Sequence, residues 1–433
     1  MIKFYKILSL LLFSMIVTVS GQRKIDINKL HSDYVKTGNK IKRLRELNGN
    51  LKSFAVKHPS KYDYKNWIKI LYQIESLYID NPEAEKIVGD VLKNHEHIPV
   101  KLLYVGIETA TAVFPDKFHK IISKIFETTR NASVFVISAT YLIRNNFKLR
   151  NNEFYLLNIE KRFKNWENIP ELFLFHEYLL KPEKKRLKEI PDLAELFSHK
   201  YSAGKTIIFS LFRKDRNYPG ITIIRKPDGK FLRDKDGKLF YVKQLGLSYA
   251  NLPGYLPDGN TPEGIFSIVG WYITPTGSIG PTPNVLTRLP FEIGVPEFFH
   301  QQVSEKKWTK EIYGKLLPPS WSNYLPVYET YYAGRAGRKL LIMHGSTDDL
   351  EYYKDKPYFP LTPTRGCLSA KEIWNETTGK CIESDQAKLM NAFFSTGTLK
   401  GFLIVVNIDD QKSPVTPEDV IEKVLKAEAM QRK

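Results

Sequence analysis

From Gln22 to about Lys200 apolar residues recur at spacings of three and four, the period of a helix with one buried face. Trp67, Ile70, Leu71, Ile74 and Leu77 form one such stripe, and Phe118, Ile121, Ile122, Ile125 and Phe126 form another. Further helices are predicted over Val100 to Phe114, Ser133 to Asn145, Glu153 to Asn165 and Pro170 to Leu180. Breakers separate them at Asn81-Pro82, Ile98-Pro99, Phe114-Pro115 and Ile169-Pro170. Successive short helices of this kind predict an α-hairpin array, with no fixed repeat period visible.

Near Tyr201 the period changes. Thr206 to Phe212 and Ile221 to Arg225 are rich in β-branched and aromatic residues, and Asp228-Gly229 and Asp236-Gly237 mark turns between short strands. Tyr249 to Glu263, rich in Pro and Gly, reads as a loop before a strand from Gly264 to Trp271. Ile273 to Tyr328 is long for a simple connection and is expected to be an insertion walling a cleft. Leu340 to Met343 reads as a buried strand, Lys371 to Trp374 as the start of a short helix, Asp385 to Phe394 as a helix and Gly401 to Asn407 as a last apolar strand. Thr416-Pro417 supplies a cap and a first-turn proline for a terminal helix. The predicted class is α+β: a helical domain over residues 22–200, a mostly β domain over 201–410, and a polar tail with a short helix over 411–433.

Ahead of these, Lys3 and Lys6 precede an apolar run from Ile7 to Val19 that ends in Ser20 and Gly21. This is the pattern of a cleaved secretory signal over residues 1–21, with an uncleaved anchor as the alternative. No later stretch reaches the ~20 apolar residues a membrane helix needs, so a soluble periplasmic or cell-envelope protein is expected. The 42% hydrophobic and 13% aromatic content argue against a disordered chain. A net charge of +18 favours anionic partners such as cell-wall carboxylates or a membrane surface. Nucleic acid is disfavoured by export and by the lack of a recognisable motif. His95-Glu96-His97 could present two imidazoles to zinc, but no further ligands cluster nearby and a solvated loop is the expected reading. Asn131-Ala132-Ser133 and Asn375-Glu376-Thr377 fit a glycosylation pattern to which no function is attached.

Candidate chemistry concentrates between Leu340 and Ala370. His344 stands at the end of a strand, where Gly345 lets the chain turn, and 23 residues later Cys367 closes the turn Thr364-Arg365-Gly366-Cys367. A thiol with an ordinary pKa near ~8.5 needs a neighbour to take its proton at neutral pH, and a histidine is the usual one. Cys381 is the other cysteine; a bridge between the two would consume the nucleophile, so a free Cys367 is favoured over that disulfide.

These residues resemble the L,D-transpeptidase (YkuD-like) catalytic domain, which carries a His-Gly element followed by Ser-His-Gly-Cys-x-Arg. Gly366 and Cys367 match, Thr364 replaces one hydroxyl by another, Arg365 stands where the family often has His, and Ser369 where it usually has Arg. Upstream, Asn260-Thr261-Pro262-Glu263-Gly264-Ile265-Phe266 is similar to the family's Thr-Pro-x-Gly-x-Phe segment. The resemblance covers roughly residues 201–410 and implies acyl transfer on peptidoglycan stem peptides without metal or organic cofactor. Cys367 would attack as thiolate, His344 would take and return its proton with a pKa near working pH, and a carbonyl at Gly345 or Ser346 would steer the imidazole. The N–H groups of Gly366 and Cys367 are the expected oxyanion donors, with Thr364 and Arg365 beside them, and Arg335 and Arg338 are candidates to meet substrate carboxylates. Rapid loss of Cys367 to iodoacetamide, at a pH below that of a free thiol, would follow. The alternatives are an L,D-carboxypeptidase or amidase using the same residues, and a catalytically silent wall-binding scaffold whose helices engage other envelope proteins.

Overall fold

The computed structural model describes residues 24–145, 151–180, 189–201 and 204–431. The leader expected over residues 1–21 lies outside them. Nine helices are described before the first strand: α1 (Thr37–Ala55), α2 (Tyr64–Ser76), α3 (Pro82–Lys93), α4 (Val100–Val113), α5 (His119–Thr128), α6 (Ala132–Arg144), α7 (Asn152–Arg162), α8 (Pro170–Leu180) and α9 (Leu193–Ser198). Their starts are chemically marked. Asn81, Asn131 and Asn151 each accept a backbone N–H three residues on, satisfying a donor the helix cannot, and Pro82 fills a first-turn position where no donor is needed.

Ten strands follow: β1 (Thr206–Arg213), β2 (Gly220–Arg225), β3 (Val242–Leu245), β4 (Gly264–Tyr272), β5 (Asn284–Arg288), β6 (Ile342–His344), β7 (Leu368–Ala370), β8 (Glu372–Trp374), β9 (Cys381–Ser384) and β10 (Gly401–Asp409). Eight close into a barrel in the order β1-β10-β4-β5-β6-β7-β3-β2, and β8 and β9 form a separate hairpin. Pairing is antiparallel except for β1 with β10 and β6 with β7. Short helices α10 (Val295–Phe299), α11 (Lys310–Gly314) and α12 (Glu329–Arg335) lie between β5 and β6, α13 (Asp385–Ser395) follows β9, and α14 (Ile421–Met430) ends the described chain.

The barrel is buried on both faces, and this is why β1 and β10 read as unbroken apolar runs. Ile207, Phe209 and Leu211 join Phe402, Ile404 and Val406 in a core continuous with the helices. Their alternates Ile208, Phe212, Leu403 and Val405 pack with Phe266, Met343, Leu368 and Phe393 of α13. The tail is docked as well: Val420, Val424 and Ala427 are fully buried, and Glu428 accepts from Phe231 N–H and Arg233 at 2.9 Å.

The coarse expectation, helices first and a strand-rich part second, is what the chain forms. The strands close into a barrel, which does not by itself single out the L,D-transpeptidase fold. Two local readings are corrected. Lys371 to Trp374 does not open a helix, because Glu372 to Trp374 pair with β9. The expected insertion after Ile273 contains β5, a full barrel strand between β4 and β6.

The loop from Tyr249 to Glu263 is clamped by residues of the helical half. Tyr72 donates to Asp258 (3.0 Å), Tyr78 to the Tyr249 carbonyl (3.0 Å), Tyr104 to the Pro257 carbonyl (2.8 Å) and Arg144 to the Ala250 carbonyl (2.9 Å). The helical half thus supports the loop that runs to the back of the cysteine turn.

Candidate active site

The parallel register pairs Met343 with Leu368 and His344 with Ser369. Side chains alternate along a strand and paired residues share a face, so Met343 and Leu368 enter the core while His344 and Ser369 point the other way, Cys367 being level with Ile342. The Ile342 N–H lies 3.4 Å from the Cys367 sulfur, and the thiol reaches the Leu340 carbonyl at 3.8 Å. Among the described residues no hydrogen bond joins the thiol to the imidazole. Both cysteines are free; Cys367 is half-buried and Cys381 buried.

The cysteine turn is held from three sides. Thr364 Oγ1 accepts the Gly366 N–H (3.1 Å) and donates to the Cys367 carbonyl (2.8 Å). Thr261, in the upstream segment, donates to the Gly366 carbonyl at 2.9 Å, so the two motif-like stretches meet in space. Beneath them lies Arg338, buried, donating to the carbonyls of Gly254, Gly259 (2.9 Å), Asn260 (2.9 Å) and Arg365 (3.5 Å). Gly366 has φ +101°, and a Cβ there would stand 2.0 Å from Arg338 and 2.6 Å from the Gly259 carbonyl, so both backbone and space require glycine. Ser369 is buried and donates to the Thr362 carbonyl at 2.5 Å.

His344 is buried, and its Nδ1 is 2.5 Å from the Gly345 carbonyl. A carbonyl only accepts, so Nδ1 carries the hydrogen and the neutral ring leaves Nε2 as its basic nitrogen. Gly345 in turn rests on Glu372: a Cβ there would lie 2.2 Å from the carboxyl carbon, which Thr282 and Ser384 hold by hydrogen bonds of 2.6 Å. Burial pushes Glu372 up to about 7. Ser346 contributes its carbonyl to Trp374 Nε1 (3.0 Å) and its hydroxyl oxygen to the Asp348 N–H (3.1 Å).

Comparison with protein-family models, with curated proteins and with solved structures finds no match. The chemical argument therefore rests on this chain's own residues.

Two expectations change. Burial pushes the Cys367 thiol up to about 11, against a partial pull from the Ile342 N–H and Arg338, and pushes His344 down to about 4, against the Gly345 carbonyl. At pH 7 the resting pair is a neutral thiol and a neutral imidazole, neither a thiolate nor a histidine poised near neutrality. Of the two expected oxyanion donors, Gly366 N–H is already taken by Thr364, whereas nothing among the described residues accepts the Cys367 N–H.

The expected arginines lie elsewhere. Arg335 is exposed and donates to the Asn168 carbonyl at 3.0 Å, and Arg338 spends its fork on loop carbonyls rather than facing a substrate. Arg365 turns away from the thiol, stacking at 3.2 Å over Tyr72 opposite Glu75 and Glu108, which are completely buried on α2 and α4. Burial disfavours the Arg365 charge, but Glu75, Tyr72, Asp258 and Glu108 outweigh it and hold the guanidinium protonated more firmly than usual. Burial raises both carboxyls above their ordinary range, helped at Glu108 by Glu75 and at both by Asp258, against the pull of Arg365 and, at Glu75, of its hydrogen bond with Glu108. Native carboxyls that keep protons to a higher pH than unfolded ones give stability that is full below about pH 4 and is lost as pH rises through the native values. Thermal unfolding from pH 5 to 8 should accordingly show stability falling with pH. The Glu75→Gln/Glu108→Gln protein should fall less steeply; parallel curves would show that these acids are ionised throughout.

Proposed function

We propose that this chain is a cysteine-dependent L,D-transpeptidase of the cell envelope, cross-linking peptidoglycan stem peptides. The observation that carries the reading is the β6–β7 register, with His344 ending β6, Cys367 just before the neighbouring β7, and the Nδ1–H held by Gly345. His344 Nε2 removes the thiol proton as the sulfur attacks the carbonyl between the third residue of a tetrapeptide stem and its terminal D-residue. The S–C bond forms, the C–N bond breaks, and the imidazolium returns the proton to the leaving amine. An amine of a second stem then attacks the thioester, His344 accepts its proton and returns it to the sulfur. Because thiol and imidazole start neutral, proton transfer accompanies attack. The Cys367 N–H is the donor open to the developing oxyanion, a contribution of a few kcal/mol in comparable sites.

Incubation with a disaccharide-tetrapeptide tests this: the native protein should release the terminal residue and form dimer, and Cys367→Ala should form neither. Tripeptide without dimer would make it a carboxypeptidase. A silent scaffold is favoured by the sulfur facing Leu340 and Ile342 rather than the imidazole, and by Ser369 in the place of an arginine. It would give no product from either protein.

Thiol chemistry offers a check that needs no substrate. A thiol at about 11 leaves about 300-fold less thiolate at pH 7 than an ordinary cysteine near ~8.5, so iodoacetamide should modify Cys367 correspondingly slowly, with a rate still rising above pH 9. A rate that levels off below pH 8 would refute the neutral pair.

A further inference from the structure

Between the helices and the barrel lies a cavity of about 610 Å³ whose lining includes neither Cys367 nor His344. Arg144 of α6, Lys214 and Arg216 after β1, and Lys412 after β10 bring four cations to it from three parts of the chain. Their partners differ. Lys412 is paired with Asp215 at 2.9 Å, while among the described residues Arg144, Lys214 and Arg216 have no carboxylate within ion-pair distance. Among the described residues Arg144 donates to the carbonyls of Ala250 and Asn251. Arg216 is 4% exposed, donates through Nε to Asn407 at 2.9 Å, and has no partner for Nη1. The contrast with Arg213, three residues earlier, is direct: equally buried, it is matched by Asp409 at 2.5 Å and Asp419 at 2.8 Å. A buried guanidinium left half-satisfied is costly, and a bound anion is a direct remedy.

Three acids of the lining, Asp215, Glu329 and Asp410, stand against the four cations and leave one positive charge in excess. Glu329 is occupied by the Tyr178 hydroxyl (2.6 Å) and the Glu263 N–H (3.2 Å). Glu263, behind the wall on Asn407, is pushed up to about 7 by burial and by Glu329, so at neutral pH it carries only part of its charge. Asp410 is the remaining acid of the lining.

We propose that the cavity binds a small molecule bearing a multiply charged oxyanion, a phosphate or a cluster of carboxylates, through Arg144, Lys214 and Arg216. Its volume is that of a small-metabolite site. Thr261, Asn260 and Gly254 also line it, and these residues hold the cysteine turn, Thr261 through the Gly366 carbonyl and the others through Arg338. An occupant would brace that turn from behind.

The test uses the Cys367→Ala protein, whose binding is independent of any acyl transfer. Pyrophosphate and citrate are titrated by calorimetry and by thermal shift, with sodium chloride at matched ionic strength. Saturable binding at one site is expected, weakened at least tenfold in Lys214→Gln and in Arg216→Gln. A response to pyrophosphate alone marks the ligand as phosphorylated, and to citrate alone as a polycarboxylate. Equal binding by the variants, a shift reproduced by chloride, or no saturable binding of either anion by the well-folded parent would overturn the proposal. Lys214 is half-buried at the wall, so its variant separates loss of a ligand contact from a folding defect at Arg216.

Discussion

Exchanging His344 for glutamine is expected to slow turnover of the tetrapeptide by a factor of about 10²–10⁴, the range general-base catalysis supplies, while the protein stays folded. Among the described residues the imidazole's hydrogen bond is the one to Gly345, so removing it costs roughly 1 kcal/mol of stability. Catalysis suffers far more. With the thiol at about 11, thiolate is scarce at pH 7 unless a base takes the proton during attack. The pH profile gives the sharper reading. An ordinary histidine would lose activity below about pH 6.5, whereas one held at about 4 keeps its basic form, so the native rate should persist at pH 5 and fall only as pH drops further. In the glutamine variant the residual rate should climb steadily with pH as hydroxide takes over. An acid limb centred near 6.5, or a variant with undiminished turnover, would remove His344 from the role of base.

The chain discloses some of this arrangement and hides the rest for physical reasons. Apolar runs at β1 and β10 are visible because both faces of those strands are buried. Their parallel pairing is not, since Thr206 and Gly401 lie far apart along the chain and nothing local fixes the register. α1 escapes periodicity because only Leu47, Leu51, Phe54 and Ala55 of its residues are buried, all in its second half. β5 is obscured by the prolines and glycines around it. In the site, Cys367 and His344 stand out because glycines flank them where the chain must turn. Gly345 and Thr364 come with them, one as the imidazole's acceptor and the other as the brace of the turn.

What stays hidden is whatever depends on contacts between distant segments. Arg365 sits next to Gly366 in sequence, yet its partners are acids on α2 and α4. Thr261 belongs to the upstream stretch and still bonds the Gly366 carbonyl. Glu372 could be read only as part of a short helix, although its carboxyl is what forbids a side chain at 345. The protonation of thiol and imidazole is set by burial, which residue spacing does not report. Function follows from these distant contacts as much as from the two reactive side chains.

Arg338 is where those contacts converge, and replacing it by methionine should cost about 3–5 kcal/mol, measured by urea unfolding. The side chain is 7% exposed, and its two terminal nitrogens serve carbonyls of Gly254, Gly259, Asn260 and Arg365. Each buried acceptor left bare costs roughly 1–3 kcal/mol, and the losses do not add fully because the loops can relax toward water. Lysine should rescue little, since a single ammonium cannot reach both sides as a planar fork does. The same substitution should speed alkylation of Cys367, because the turn loses the support beneath Gly366 and the sulfur gains access to solvent. Coupled loss of stability and gain of thiol reactivity distinguishes a strut of the cysteine turn from an arginine that meets substrate. An arginine of the latter kind would raise KM and leave urea unfolding unchanged, and that outcome would return Arg338 to the substrate side.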